Sequence, residues 1–317
     1  MKIVVTGGAG FIGANLCRRL AAHGSCEVVA FDDLSTGRRQ NLDDVPGARL
    51  VEGSILDRRH LDEVVRGAHS IVHLAARPSV PRSVSDPLAS HEANATGTIR
   101  VLEAARQTGV HHVVVASSSS VYGANPELPK HEDLAPRPRS PYAASKLAAE
   151  SYALAYASSY GSKVLALRFF NVFGPLQPAG HAYAAVIPSF VAAALAEEPL
   201  CVHGDGTQSR DFTYVGSVVA VLADAAIRHV ASDTPVNLAF GTRTSLLEVI
   251  EMLGDILGRA LDVDYVAPRV GDVLHSQADQ TRFRALFPRA RPEPLVDGLR
   301  ATVDWFRSTQ PELVDQT

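Results

Sequence analysis

The run Thr6-Gly7-Gly8-Ala9-Gly10-Phe11-Ile12-Gly13 stands between a short apolar stretch, Lys2-Ile3-Val4-Val5, and a segment of helical periodicity. That order leaves the backbone little choice: a strand ends, the chain turns sharply, and a helix begins. Gly7 permits the tight turn, Gly10 lets the backbone approach a pyrophosphate, and Gly13 permits close packing of helix on sheet. The helix start offers unpaired N–H groups and a positive dipole end to phosphate. Asp32 closes the next apolar run, 19 residues after Gly13. A carboxylate there binds a ribose diol and repels a 2′-phosphate, which favours NAD over NADP. Arg38 and Arg39 just beyond it are a counter-signal, since arginines at this place can hold a 2′-phosphate.

Further along, apolar runs alternate with helical patterns. Strands are expected at 2–6, 27–31, 49–52, 70–74, 112–117 and 163–169, and helices at 11–23, 58–66, 88–108 and 142–159. Near-continuous Val, Ile and Ala in the strands means burial on both faces, and strand–helix alternation means right-handed crossovers and a parallel sheet. After Phe173 the composition shifts, with Gly174, Pro175, Pro178 and Gly180 marking a break. A helix is expected at 187–196, short strands at 201–203, 212–215 and 236–238, and helices near 217–229, 245–257 and 297–307. The expected architecture is α/β: a doubly wound parallel Rossmann sheet over 1–173 that binds NAD, with segments near 212–240 interwoven into it. A smaller mixed α/β substrate-binding domain follows over 174–317. The proline-rich stretch 126–141 reads as a surface loop leading into the next helix, either a plain linker or a lid.

Composition narrows the class of function. The 317 residues are 46% hydrophobic and 20% charged, as in an ordinary globular protein. A net charge of −4 with well-mixed signs argues against a nucleic-acid surface. The apolar runs fall short of the roughly 18 residues a membrane span needs, and the first strand runs straight into the glycine turn with no signal-peptide pattern. Cys17, Cys26 and Cys201 are scattered without metal-ligand spacing, so they are expected to be reduced thiols of a cytoplasmic protein, and no metal site is expected.

The second informative motif is Tyr142-Ala143-Ala144-Ser145-Lys146. Residues four apart share a helix face. A free tyrosine has a pKa near 10 and is a poor base at neutral pH. An ammonium beside it, together with a positively charged nicotinamide, stabilises phenolate and lowers that value. A hydroxyl partner is expected at the carboxyl end of the preceding strand, where ligands sit in such sheets. There the chain reads Ser117-Ser118-Ser119-Ser120-Val121-Tyr122-Gly123.

With these motifs the chain resembles the extended short-chain dehydrogenase/reductases of the nucleotide-sugar epimerase/dehydratase family. Further marks are Asp32-Asp33-Leu34-Ser35-Thr36-Gly37, His73-Leu74-Ala75-Ala76, Asn94-Ala95-Thr96-Gly97-Thr98, the run from Leu167 to Pro175, Gly204 to Phe212, and Arg269-Val270-Gly271-Asp272. The resemblance implies that Ser118 is the catalytic hydroxyl, Tyr142 the base, and Lys146 its partner and a ribose ligand. It implies that Gly7, Gly10, Phe11 and Ile12 hold the pyrophosphate, and that Asp32, Asp33, Ser35, Thr36 and Gly37 hold the adenosine end. Ser54 and Ile55 meet the adenine, with Ser54 standing where the family usually has Asp. Leu74, Ala75, Ala76, Ser117 and Phe169 complete the cofactor set. On the substrate side it implies Val80, Ser118, Ser119, Tyr142, Asn171, Val186, Cys201, His203, Arg210, Arg269, Asp272 and Ser276. It also implies a homodimer built on the helices near 88–108 and 142–159.

Within that family a 4,6-dehydratase carries Asp-Glu before Val-Tyr-Gly, to eliminate water. Ser119 and Ser120 stand there and cannot do that work at neutral pH. The expectation is therefore NAD-dependent 4-epimerisation of a UDP-hexose through a transient 4-keto sugar. The small Ser276 leaves room for an N-acetyl group or a freely turning sugar. UDP-glucuronate epimerisation stays open beside it, weakened by Asn171 and Pro178, where that branch tends to have Thr and Arg. Dehydration, decarboxylation and a non-enzymatic NAD-binding regulator are weaker alternatives, the last because Tyr142 and Lys146 are both intact.

Overall fold

The computed structural model describes residues 1–179, 185–268 and 274–309. The first half supplies β1 (Lys2–Thr6), β2 (Glu27–Asp32), β3 (Ala48–Glu52), β4 (Ser70–His73), β5 (His112–Ser118) and β6 (Lys163–Phe169). Between them run α1 (Phe11–Ala22), α2 (Arg58–Val65), α3 (Val80–Ser85), α4 (Pro87–His91), α5 (Gly97–Thr108) and α6 (Pro141–Tyr160). The second half begins with β7 (Val172–Phe173), α7 (Val186–Leu195), β8 (Leu200–His203), β9 (Ser209–Arg210), β10 (Thr213–Tyr214) and α8 (Val215–Arg228). It continues with β11 (Val236–Leu238), β12 (Thr244–Ser245), α9 (Leu246–Leu257), β13 (Val263–Val266), α10 (Thr281–Leu286) and α11 (Leu295–Thr309).

Seven strands form one parallel sheet in the order β11-β6-β5-β4-β1-β2-β3. Side chains alternate along a strand, so neighbours go to opposite faces. Val5 and Val114 pack with Leu16 and Leu20 of α1 and Val218 and Leu222 of α8. Val4, Val113 and Val115 pack with Leu61 of α2 and Val101 of α5. Helices therefore cover both faces, which is what the unbroken apolar strands require. A separate core joins α7, β8, α9 and α11 through Phe190, Leu200, Leu253 and Phe306. Strand order reverses at β1, which pairs with both β2 and β4. Crevices for ligands open at the carboxyl ends of strands at such a point.

The structure departs from the sequence-based expectation in several places. The helix expected over 88–108 is interrupted by a π turn at Glu92–Thr96. The chain expected as a strand over 212–215 pairs only at Thr213–Tyr214, and α8 takes Val215. The loop expected on the surface at 126–141 dives inward midway: Lys130, Glu132 and Leu134 are buried. The Glu132 carboxylate accepts from the Asn237 N–H at 2.8 Å, and the Lys130 carbonyl accepts from the Asn237 amide at 2.8 Å. These polar groups are buried because β11 supplies their partners.

Candidate active site

The glycine turn closes on itself as tightly as its spacing requires. Gly7 has φ +70°, and a Cβ there would lie 2.7 Å from the Ala75 nitrogen at the end of β4. A Cβ on Gly13 would lie 2.0 Å from the Gly7 carbonyl oxygen. Gly10 caps α1 and meets only that same carbonyl, at 3.3 Å. Asp32 ends β2 with its carboxylate accepting from the Ala9 and Leu34 N–H groups, both at 2.9 Å. Burial raises its pKa, and those two donors oppose the rise. Asp33 accepts from the Ser35 hydroxyl at 2.6 Å.

These ends of strands frame a cleft of about 690 Å³. Its wall includes Gly7, Gly10, Phe11, Ile12, Asp32, Asp33, Ser35, Thr36, Ser54 and Ile55 at one end. Leu74, Ala75, Ala76, Ser117, Ser118, Tyr142, Lys146 and Phe169 form the other. Gly37 does not border the cleft but lies against Asp32, where a Cβ would come within 2.8 Å of Oδ1. Arg38 and Arg39 are absent from this wall, and Arg39 donates to Glu52 at 2.7 Å instead. A backbone cradle without room for side chains, facing a helix start and leading to a carboxylate, fits an NAD molecule.

The far end of the cleft holds the chemistry. Ser140 accepts from the Ala143 N–H at 3.1 Å, and Pro141 occupies the first turn, so α6 starts just before Tyr142. Burial raises the Tyr142 pKa, and a hydrogen bond with Ser118 opposes that. Lys146 Nζ donates to the Ala116 carbonyl at 2.8 Å, and burial brings its pKa down to about 8. The expected depression of Tyr142 by Lys146 is therefore not present in the protein alone, where desolvation of the phenol dominates. A phenol beside a hydroxyl in one cleft wall, with an ammonium one turn away, can take a proton from an alcohol and return it.

A second cleft of about 370 Å³ meets the first at Asn171 and Val172. Val186 of α7, Cys201 and His203 of β8, and Arg210 of β9 line it. Arg210 donates to the Leu274 carbonyl at 3.1 Å, and His203 Nδ1 lies 3.1 Å from the Ala267 carbonyl. Val80 on α3, Ser119 and Ser276 border neither cleft. The Ser276 N–H donates to the Ser209 carbonyl at 3.0 Å, beside Arg210. Arg269 and Asp272 lie outside the described residues.

The model of the NAD dependent epimerase/dehydratase family matches residues 3–239. The chain belongs to that family. It is 37% identical over 316 residues to the UDP-glucose 4-epimerase of Mycolicibacterium smegmatis, covering 97% of this chain and 99% of that protein. Its fold matches the UDP-N-acetylglucosamine 4-epimerase from Methanobrevibacter ruminantium in complex with UDP-N-acetylmuramic acid. There the TM-score is 0.91 and the identity 35%, over 97% of this chain and 98% of that one. It also matches the UDP-glucose 4-epimerase of Thermus thermophilus in complex with NAD. There the TM-score is 0.87 and the identity 36%, over 98% of this chain and all 100% of that one.

In this member of the epimerase/dehydratase family, several buried polar residues around the site carry no role in the sequence analysis: Asn94 and Arg168 stand there only as parts of motifs, and Glu150 is not named. The π turn points Asn94 inward, where its amide donates to Ser145 Oγ at 3.0 Å and its oxygen accepts from the Arg77 N–H at 2.7 Å. Glu150 accepts from Ser117 Oγ at 2.7 Å and from Arg168 at 2.7 and 2.9 Å. The signal for Glu150 is its spacing, four beyond Lys146 and eight beyond Tyr142 on one helix face. The signal for Arg168 is a lone cation in an apolar strand, next to Phe169.

Proposed function

We propose that this chain is a nucleotide-sugar 4-epimerase, acting on a UDP-hexose (UDP-glucose/UDP-galactose or UDP-GlcNAc/UDP-GalNAc) with NAD. The observation that carries this reading is Ser118, Tyr142 and Lys146 brought together at the end of a dinucleotide cleft, with serines, not an acid pair, at 119 and 120. The first cleft takes NAD, with Asp32 toward the adenosine ribose and the start of α1 toward the pyrophosphate. Bound NAD supplies a reversible hydride acceptor, so the overall reaction is redox-neutral. Tyr142 removes the proton of the sugar's 4-hydroxyl, with Ser118 orienting that hydroxyl and Lys146 favouring the phenolate. The hydride leaving C4 would pass to that acceptor and come back to the opposite face of C4 once the 4-keto sugar has turned, while Tyr142 returns its proton to O4. The second cleft receives the nucleotide, with Arg210 and Arg269 on the diphosphate, Val186, Cys201 and His203 around the base, and Asp272 at the ribose.

Proton NMR of UDP-glucose, UDP-N-acetylglucosamine and UDP-glucuronate, each incubated with the protein, tests this. Appearance of the C4 epimer from a UDP-hexose is the expected result. Turnover of UDP-glucuronate alone would reassign the sugar, and no turnover of any of the three would overturn the reading. Val84, Leu88 and Tyr152 stand exposed on the adjacent helices α3, α4 and α6, which supports a homodimer through that face. Sedimentation of Leu88→Glu as a monomer and of the parent as a dimer is the corresponding check. Three unbridged cysteines fit a cytoplasmic setting.

A further inference from the structure

Three positions of α6, each four residues from the next, reach three consecutive residues of β5. Tyr142 shares the cleft wall with Ser118, Lys146 donates to the Ala116 carbonyl, and Glu150 accepts from the Ser117 hydroxyl. The first two rungs are the proton-transfer group itself. The third involves no reacting atom: Ser117 borders the cofactor cleft, and Glu150 lies buried behind it, outside the cleft wall. We propose that Glu150 is a positioning residue, which, anchored by Arg168, fixes the end of β5 against α6 and so keeps Ser118 and the carbonyl holding Lys146 aligned with Tyr142.

The anchor is built for direction. Glu150 and Arg168 are 3% and 2% exposed, and the guanidinium grips the carboxylate through Nη2 and Nε at 2.7 and 2.9 Å. Such a fork fixes the plane of the carboxylate as well as its distance. Arg168 sits directly opposite Ser117 on β6, so one carboxylate ties the helix to both strands. Behind it the Tyr122 ring lies 4.7 Å from the guanidinium, and its hydroxyl donates to Asn237 at 2.6 Å. A buried ion pair gains little stability over well-packed apolar side chains, so stability alone does not call for one here. Its charge is balanced by Arg168, whose guanidinium meets both carboxylate oxygens, so what Glu150 supplies to the rung is geometry.

This rests on Ser118, Tyr142 and Lys146 being the proton-transfer group. Two variants isolate the rung. Ser117→Ala removes it and leaves every charge in place. Glu150→Met/Arg168→Met removes both charges together and keeps the volume filled. Each is compared with the parent, loaded with NAD, by turnover of the UDP-sugar and by the ionisation midpoint of Tyr142. That midpoint is read as tyrosinate absorbance against the Tyr142→Phe counterpart of the same variant. The expected result is a fall in kcat on the order of tenfold at unchanged KM and a Tyr142 midpoint raised by about one pH unit. The melting temperature of the double variant should stay near or above the parent's, and Ser117→Ala should cost nothing more in that background. Parental kcat and parental Tyr142 midpoint in both variants would overturn the proposal. If the double variant fails to fold, Ser117→Ala decides alone. If the parent turns over no UDP-sugar, the functional reading falls, while the Tyr142 midpoint still decides the role of Glu150.

Discussion

At the scale of single residues, the site sets a phenol against its own burial. Tyr142 is pushed up by desolvation and eased only by Ser118, so its competence as a base depends on charge brought close to it. Removing the hydroxyl removes the proton carrier and little else. Tyr142→Phe should lower kcat about a thousandfold, while NAD binding and the melting temperature stay near those of the parent; comparable kcat by the NMR assay would remove Tyr142 from its role. The convergence of Tyr142, Lys146 and Asp32 on one cleft was legible in the sequence because each sits at a fixed offset from a strand or helix end; Ser118 was singled out from its neighbouring serines by the family resemblance. Glu150 was not legible, and Asn94 and Arg168 stood in motifs without a role, because their partners lie on other elements. Glu150 meets Ser117 across 33 residues, and Asn94 meets Ser145 across 51.

At the scale of elements, local pattern carried far where an element is an unbroken apolar strand or a long amphipathic helix with a marked start. The strands at 2–6 and 163–169 have their expected bounds, and α1, α6 and α9 begin and end within two residues of expectation. Pattern failed where tertiary contacts decide. A π turn costs local helix geometry and is stabilised here by the distant partners of Asn94. The two-residue strands β7, β9, β10 and β12 are too short to show any periodicity. The turn before α1 is the element least tolerant of change. A methyl on Gly13 would sit 2.0 Å from the Gly7 carbonyl and 2.8 Å from Gly8 Cα, all of it backbone. Gly13→Ala should therefore displace the turn from the phosphate site and release NAD. The protein should purify without bound nucleotide yet keep its far-ultraviolet circular dichroism, and full occupancy with NAD would refute the assignment.

For the whole molecule, the amino ends of the central strands matter as much as the site at the other end. His112 begins β5, and its ring is held between Ser70 Oγ at 2.7 Å and the Val230 carbonyl at 2.9 Å. It stacks on His229, which stacks on His69, so the stack joins β4, β5 and the end of α8. Burial brings the His112 pKa from 6.5 to about 4, and burial with the charge of Lys146 brings His73 to about 3. The unfolded chain protonates these rings near pH 6.5, and the fold keeps them neutral. Unfolding therefore takes up protons below that value: the contribution of these two rings to stability is complete above about pH 6.5 and is lost as pH falls toward about 4. Asp211 works the other way. Burial raises it to about 6, so between about pH 4 and 6 the fold keeps a proton that the unfolded carboxylate releases, which offsets one of the two histidines. The uncompensated loss begins just below neutrality and persists as the pH falls. Replacing His112 by Gln keeps an amide able to bond Ser70 and removes one titrating ring. The variant should lose less stability than the parent between pH 7 and pH 5, by about 2 kcal/mol in urea unfolding. It should be weaker than the parent at pH 7, where the histidine stack is intact. Parallel losses in the two proteins would mean that His112 titrates alike in the folded and unfolded chain, and that the stack does not set the acid limit of this fold.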